Sequence, residues 1–288
     1  MNGFYNIIKP IGWSSSDLVI KIRGILRRRT GQKVKVGHLG TLDPLATGVL
    51  GVAVGSATKL FDYFLTKRKT YVATCVLGKS TDTLDEGGAI IEEAEVPALS
   101  NERIEEVLSS FFGEIDQIPP IYSAKSVDGV RAYKLAHKGV SAELKPCRVT
   151  IYECKLLERV SENVFRFQVE CSGGTYIRSL CRDIGRALSL PAYMGALTRT
   201  KNGVMTIENA TTLAEVEGDE TKGFFSIEAF GKSLKSVDFS EDLRKKIENG
   251  VKIESAEEVG LVSVSIGGVF YGIGAVKNGL LEIVARDK

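Results

Sequence analysis

The sequence predicts an α+β protein, on three observations. Val164 to Cys171 alternates strictly, with Phe165, Phe167, Val169 and Cys171 facing one way and Arg166, Gln168 and Glu170 the other, the pattern of a half-buried strand. Several segments instead repeat apolar residues at helical spacing, Leu18, Val19, Ile22, Ile25 and Leu26 most plainly. Gly267-Gly268 and Asn278-Gly279 are hairpin signals joining short neighbouring strands. This mixture argues against a doubly wound parallel sheet, which needs a regular alternation of strand and helix.

The elements follow in order. Ser14, Ser15, Ser16 and Asp17 offer N-caps to the first helix, which ends in Arg27-Arg28-Arg29, charges that suit a helix C-terminus. A Gly-rich turn carrying Asp43 leads into an apolar strand from Val49 to Val54. A helix with Leu60, Phe61, Phe64 and Leu65 on one side comes next, then a strand from Thr70 to Leu77. Residues 101–112 form an amphipathic helix with Ile104, Val107, Leu108 and Phe111 inward. Pro119 to Pro146 is irregular, and so long a weakly patterned segment inside a domain is often functional. After Cys171, the turn Ser172-Gly173-Gly174 opens a helix from about Thr175 to Leu188, patterned on Ile177, Leu180, Cys181, Ile184 and Leu188.

Composition shifts around Glu215 to Lys235, placing a large domain over residues 1–232 and a small β-rich one over 236–288. The small one begins with a short helix from Ser240 to Gly250 and continues as three strands. At about 50 residues it is near the size where independent stability is marginal.

The 288 residues are 43% hydrophobic and 26% charged, with a net charge of +2. That charge is too mild to diagnose nucleic-acid binding. No apolar run is long enough to span a bilayer and the first ten residues lack a secretion signal, so a cytoplasmic protein is expected. Five cysteines without Cys-x-x-Cys spacing and two distant histidines fit neither a disulfide framework nor a zinc site. No metal and no cofactor is expected.

Two segments could carry chemistry. Gly37-His38-Leu39-Gly40-Thr41-Leu42-Asp43-Pro44 sets a histidine and a carboxylate among glycines that permit close backbone approach. On spacing alone, Asp43 before Pro44 reads more readily as a helix N-cap followed by proline at the first helical position. Ser172-Gly173-Gly174-Thr175-Tyr176-Ile177-Arg178-Ser179 places Arg178 in the first turn of a helix, as a surface arginine or as one that grips a carboxylate with both nitrogens. No phosphate-binding Gly-x-x-x-x-Gly-Lys loop and no Gly-x-Ser-x-Gly elbow is present. One acid and one arginine would suit a cofactor-free isomerisation.

Six fragments then occur together in order: Lys9-Pro10-x-Gly12-x-Ser14-Ser15, Gly37-His38-x-Gly40-Thr41-Leu42-Asp43-Pro44-x-Ala46-Thr47-Gly48, Lys69-Thr70-Tyr71, Thr81-Asp82-Thr83, Gln117-Ile118-Pro119-Pro120-x-Tyr122-Ser123-Ala124 and Gly174-Thr175-Tyr176-Ile177-Arg178-Ser179. In these the chain resembles the bacterial TruB-type tRNA pseudouridine synthases, over about residues 3–230. The resemblance implies the pseudouridine synthase fold, a mixed, largely antiparallel sheet crossed by a catalytic cleft. It implies isomerisation of uridine 55 in the tRNA T loop by a stand-alone, monomeric enzyme that needs no protein partner.

By the same resemblance Asp43 is the catalytic carboxylate, Tyr71 stacks on a flipped uracil, and Arg178 pairs with Asp43. His38, Tyr176, Leu197 and Lys9 take substrate-binding positions, and Lys125, with Arg131 and Lys134, contacts RNA phosphates from the loop of about 119–146. The C-terminal module would be PUA-like and bind RNA. The family often has Ala-Arg-x-Gly where this chain has Ala136-His137-Lys138-Gly139, which puts one RNA contact in doubt. Two rivals stay open: a guide-RNA-dependent synthase with similar motifs, and an RNA-binding protein that keeps the fold without the reaction.

Overall fold

A computed structural model describes residues 1–122, 126–127, 130–131 and 144–286. The chain forms two compact units, one of Met1–Pro44, Gly48–Leu65 and Val204–Lys288, the other of Leu45–Thr47 and Thr66–Gly203.

The first unit is organised around β1 (Gly3–Lys9), whose sequence GFYNIIK is buried at almost every position. Burial on both faces removes the alternation by which a strand is read, and for that reason sequence patterning passed over it. A helix follows it, α1 (Ser15–Thr30). The Ser14 hydroxyl accepts from the Asp17 N–H while the Asp17 carboxylate accepts from the Ser14 N–H, a capping box that starts α1 where the serines predict. The arginines end it, and Gly31 closes it in the left-handed conformation at φ +68°.

Beyond α1 lie β2 (Val36–His38) and β3 (Ala46–Val54). β3 pairs antiparallel with both β1 and β2, while β1 also pairs antiparallel with Phe224–Ser226 and parallel with Thr211–Thr212. The sheet is therefore mixed, as expected.

The predicted C-terminal β-rich region is a five-stranded sheet. Its strands Gly260–Ile266, Val269–Lys277 and Leu280–Ala285 form a meander, with φ positive at Gly267, Gly268, Asn278 and Gly279 as tight hairpins require. Ile273 and Ala285 of this sheet share a core with Phe4, Val49, Phe64, Met205 and Phe230. Phe4 anchors that core, its ring 5.5 Å from Phe64, 5.2 Å from Phe225 and 5.1 Å from Phe230. So small a module gains its stability by burying apolar surface on the rest of this unit.

In the second unit five antiparallel strands lie in the order Ala192–Asn202, Lys69–Leu77, Val164–Cys171, Cys147–Ser161 and Gly113–Gln117. We label the second of these β4 (Lys69–Leu77); Lys69, Tyr71, Ala73, Cys75 and Leu77 all lie buried on one face. Helix Ile177–Ala187 buries Ile177, Leu180, Cys181 and Ile184, positions its periodicity marks. The helix predicted over 101–112 ends at Ser110, and Phe111 becomes its C-cap. Among the described residues no helix is long and apolar enough to cross a membrane.

Candidate active site

Asp43 is half-buried on a turn that leads into β3 at Ala46. No helix follows Pro44, so the N-cap reading of Asp-Pro fails: Pro44 and Leu45 turn the chain directly into a strand. The carbonyl that a helix would use is engaged elsewhere. Pro44 O accepts from the Gly12 N–H at 2.8 Å and from Lys9 Nζ at 3.3 Å.

Lys9 stands at the end of β1 and is fully buried. Its ammonium also donates to the carbonyls of Pro10 (2.8 Å) and Trp13 (2.7 Å). A buried cation of this kind is tolerable when strong acceptors surround it. Expected at the substrate, Lys9 in this geometry braces the turn that carries Asp43. His38 ends β2, opposite Val52 of β3, and is partly exposed.

Tyr71, Leu197, Tyr176 and Arg178, other residues the resemblance names, belong to the second unit. Tyr71 is 6% exposed on β4, between Val169 and Arg199 in the ladder. Leu197 is buried on the neighbouring strand, opposite Ala73. Tyr176 is the half-buried N-cap of helix Ile177–Ala187. Its backbone is held by Gln117, whose Oε1 accepts the Tyr176 N–H (2.8 Å) and whose Nε2 donates to the Tyr176 carbonyl (3.1 Å).

Arg178, in the first turn of that helix, is 7% exposed. The surface-arginine reading therefore fails. Its Nη1 donates to Thr83 O (3.1 Å) and its Nη2 to Tyr122 O (3.0 Å), and Nη1 lies 3.5 Å from Asp85 Oδ2. Asp85 is buried too, and its other oxygen accepts from the Thr83 hydroxyl at 2.6 Å and the Gly87 N–H at 3.1 Å. The Thr81-Asp82-Thr83 motif is thus the tight turn that aims a second carboxylate at the arginine. Sequence reasoning singled out the motif and missed Asp85, two residues beyond it.

Lys125 and Lys134 lie outside the described residues, as does the side chain of Arg131. The Arg27-Arg28-Arg29 run is tied into the fold at Arg29, which lies 3.6 Å from Glu220 and donates to the carbonyls of Glu217 and Gly218.

Burial pushes the thiols of Cys171 and Cys154 up to about 11 and about 12, and raises Cys181 well above its usual value. Near neutral pH none of the three is a thiolate, and none is suited to nucleophilic attack. Lys69 moves the other way. It is 6% exposed, two residues before Tyr71 on the same face of β4, and donates to Lys67 O at 2.8 Å. Burial, then the neighbouring Arg199 charge, lowers it from 10.5 to about 8.

Lys69 thus holds its proton less firmly in the folded chain than in the unfolded one. Between about pH 8 and pH 10.5 the unfolded state binds more protons, so this group adds stability as pH rises through that window. In urea titrations from pH 7 to pH 10, the wild type should gain stability relative to Lys69→Met. The other titrating groups are common to both chains, and parallel pH curves would refute the shift.

Residues 27–177 match the model of the TruB family pseudouridylate synthase N-terminal domain, and residues 178–225 match that of the tRNA pseudouridylate synthase B C-terminal domain. The chain is 42% identical over 282 residues to the tRNA pseudouridine synthase B of Caldanaerobacter subterraneus subsp. tengcongensis, covering 96% of each. It is 40% identical over 264 residues to that of Bacillus licheniformis, covering 88% of this chain and 84% of the relative. Among solved structures, a chain of a Cbf5-Nop10-Gar1 complex superposes with a TM-score of 0.72 at 25% identity, over 99% of this chain and 84% of that one.

Proposed function

Because the chain belongs to the TruB family of pseudouridylate synthases, we propose that it converts uridine 55 in the T loop of tRNA to pseudouridine, with Asp43 as the catalytic carboxylate. The observation that carries this reading is a carboxylate on a turn fixed by hydrogen bonds to the Pro44 carbonyl, within a chain similar over 96% of its length to an enzyme named for pseudouridine formation in tRNA. The reaction breaks the C1′–N1 bond of uridine, turns the uracil over and joins C1′ to C5, from which a proton leaves. Redox chemistry plays no part, and the atoms of substrate and product are the same.

A carboxylate can initiate this by attacking covalently or by removing a sugar proton. Either route needs the nucleotide outside its stack. Tyr71 is the proposed stacking partner of the flipped uracil, with its hydroxyl toward C5. Arg178 is proposed as the cation that keeps Asp43 ionised. His38, Tyr176 and Leu197 are proposed to line the space the nucleotide enters. The C-terminal sheet is proposed as a PUA-like RNA-binding module, and the enzyme as a monomer of the cytoplasm.

The test is tritium release from a T-arm RNA labelled at uracil C5. Release from uridine 55 by the purified chain alone is the expected result, and the same RNA lacking that uridine should release none. Absence of release from the intact T arm would refute the proposal. Phosphate contact is probed separately. Lys125→Ala should weaken T-arm affinity and reduce the slope of log affinity against log salt by about 0.7 to 0.9, with the rate of bound RNA unchanged. An unaltered slope would remove Lys125 from the interface.

A further inference from the structure

Ser15 is the first residue of α1 and is 3% exposed, yet its side chain serves a residue 27 positions away. Its hydroxyl donates to the Leu42 carbonyl at 2.9 Å and accepts the Leu42 N–H at 2.8 Å. One hydroxyl thereby satisfies both backbone polar groups of the residue immediately before Asp43. Leu42 is itself 3% exposed, so water is not at hand to replace either bond. On the far side of Asp43, the Pro44 carbonyl is held by Gly12 and Lys9. These three anchors, Lys9, Gly12 and Ser15, come from one short stretch between the end of β1 and the start of α1. That stretch is fixed by the β1–β3 ladder and by the Ser14–Asp17 capping box.

We propose that Ser15 is a positioning residue for Asp43, setting where its carboxylate stands through the backbone of Leu42. This rests on the reading of Asp43 as the catalytic group. A residue that merely satisfied a buried backbone would, when lost, lower stability and leave the turnover of the folded enzyme alone. A positioning residue must alter the chemical step. The Leu42 backbone pivots the Asp43 side chain directly, so loss of both bonds on one flank lets the carboxylate drift while Pro44 stays anchored. The shift of one carboxylate bears on the reacting geometry, so KM should change far less than kcat.

The experiment measures kcat and KM for tritium release by full-length Ser15→Ala, Ser15→Thr, Ser15→Cys and Asp43→Asn, each with its melting temperature. A displacement of about 1 Å at a reacting group costs on the order of 100-fold in rate, and Ser15→Ala should lose about that much in kcat with KM within about 2-fold. Ser15→Thr, which keeps the hydroxyl, should return kcat to within about 5-fold of the wild type. If Ser15→Ala does not fold, Ser15→Cys decides: its volume is close to that of serine but its bonds are weak, and kcat should fall about 10-fold.

Folded Ser15→Ala with kcat within about 3-fold of the wild type overturns the inference, as does a Ser15→Cys enzyme of wild-type kcat. So does a loss in Ser15→Ala that Ser15→Thr fails to reverse although it folds. Should Asp43→Asn stay active, the Asp43 reading itself fails and takes this inference with it. An inactive Asp43→Asn beside a fully active Ser15→Ala defeats the positioning role alone.

Discussion

Asp43→Asn should release tritium from C5-labelled T-arm RNA at least about 10,000-fold more slowly than the wild type, the upper range for loss of a group acting at the reacting atoms. The amide keeps the size of the carboxylate and removes its charge, so it can neither attack C1′ nor take a sugar proton. The turn should survive. Its anchors include the Ser15 hydroxyl on Leu42 and the Gly12 N–H and Lys9 ammonium on Pro44, bonds made to backbone groups and left intact by the change. The substitution is isosteric, so the variant is expected to fold, and RNA affinity should hold within a few-fold. Asp43→Glu separates charge from placement. The charge stays, but the added methylene on a fixed turn moves the carboxylate by about 1 Å, enough for a loss on the order of 100-fold. Asparagine activity above about one hundredth of the wild type would remove Asp43 from the chemistry.

The parts of the molecule legible in the sequence are those whose causes are local. The capping box of α1 spans Ser14 to Asp17, and the hairpins at Gly267-Gly268 and Asn278-Gly279 depend on the residues that adopt positive φ. Helix Ile177–Ala187 shows its buried face through spacing alone. β1 was illegible for the opposite reason. It is buried on both sides, and only the pairing with β3 and with Phe224–Ser226 shows what its apolar residues meet.

The site divides along the same line. Local pattern favoured Asp43 as a helix cap, because Asp-Pro is a good helix start wherever the chain continues as helix. Here Pro44 is held by Lys9, 35 positions earlier, and the chain leaves as strand β3. Gln117 reaches Tyr176 across 59 positions and Arg178 reaches Thr83 across 95, distances no periodicity reports. Asp85 left no signal at all. Its alignment depends on a turn in which Leu84 adopts φ +61°, a conformation the residue type does not announce. The ordered motifs located the candidate residues; what each one touches had to come from the fold.

The pairing of Arg178 with Asp85 gives the second large effect, on stability and activity together. The guanidinium serves three acceptors at once, Thr83 O, Tyr122 O and Asp85, and its side chain and that of Asp85 are 7% and 12% exposed. Arg178→Ala would leave the Asp85 carboxylate buried without its cation. Breaking a buried pair on one side costs about 3 to 5 kcal/mol. At roughly 2 to 4 °C per kcal/mol for a chain of this size, melting should fall by about 6 to 20 °C. Arg178→Lys keeps the charge but not the planar fork, so one ammonium must choose among acceptors that the guanidinium spans. It should melt closer to the wild type and still lose on the order of 100-fold in tritium release, because the cation is misplaced.

The double variant Arg178→Ala/Asp85→Ala isolates the pair. With both charges gone no ion is stranded, and it should be less destabilised than the sum of the two single changes by about 1 to 3 kcal/mol. Strict additivity, or an Arg178→Ala chain that melts with the wild type, would mean that solvent already screens Asp85 and that the buried pair contributes nothing to the fold.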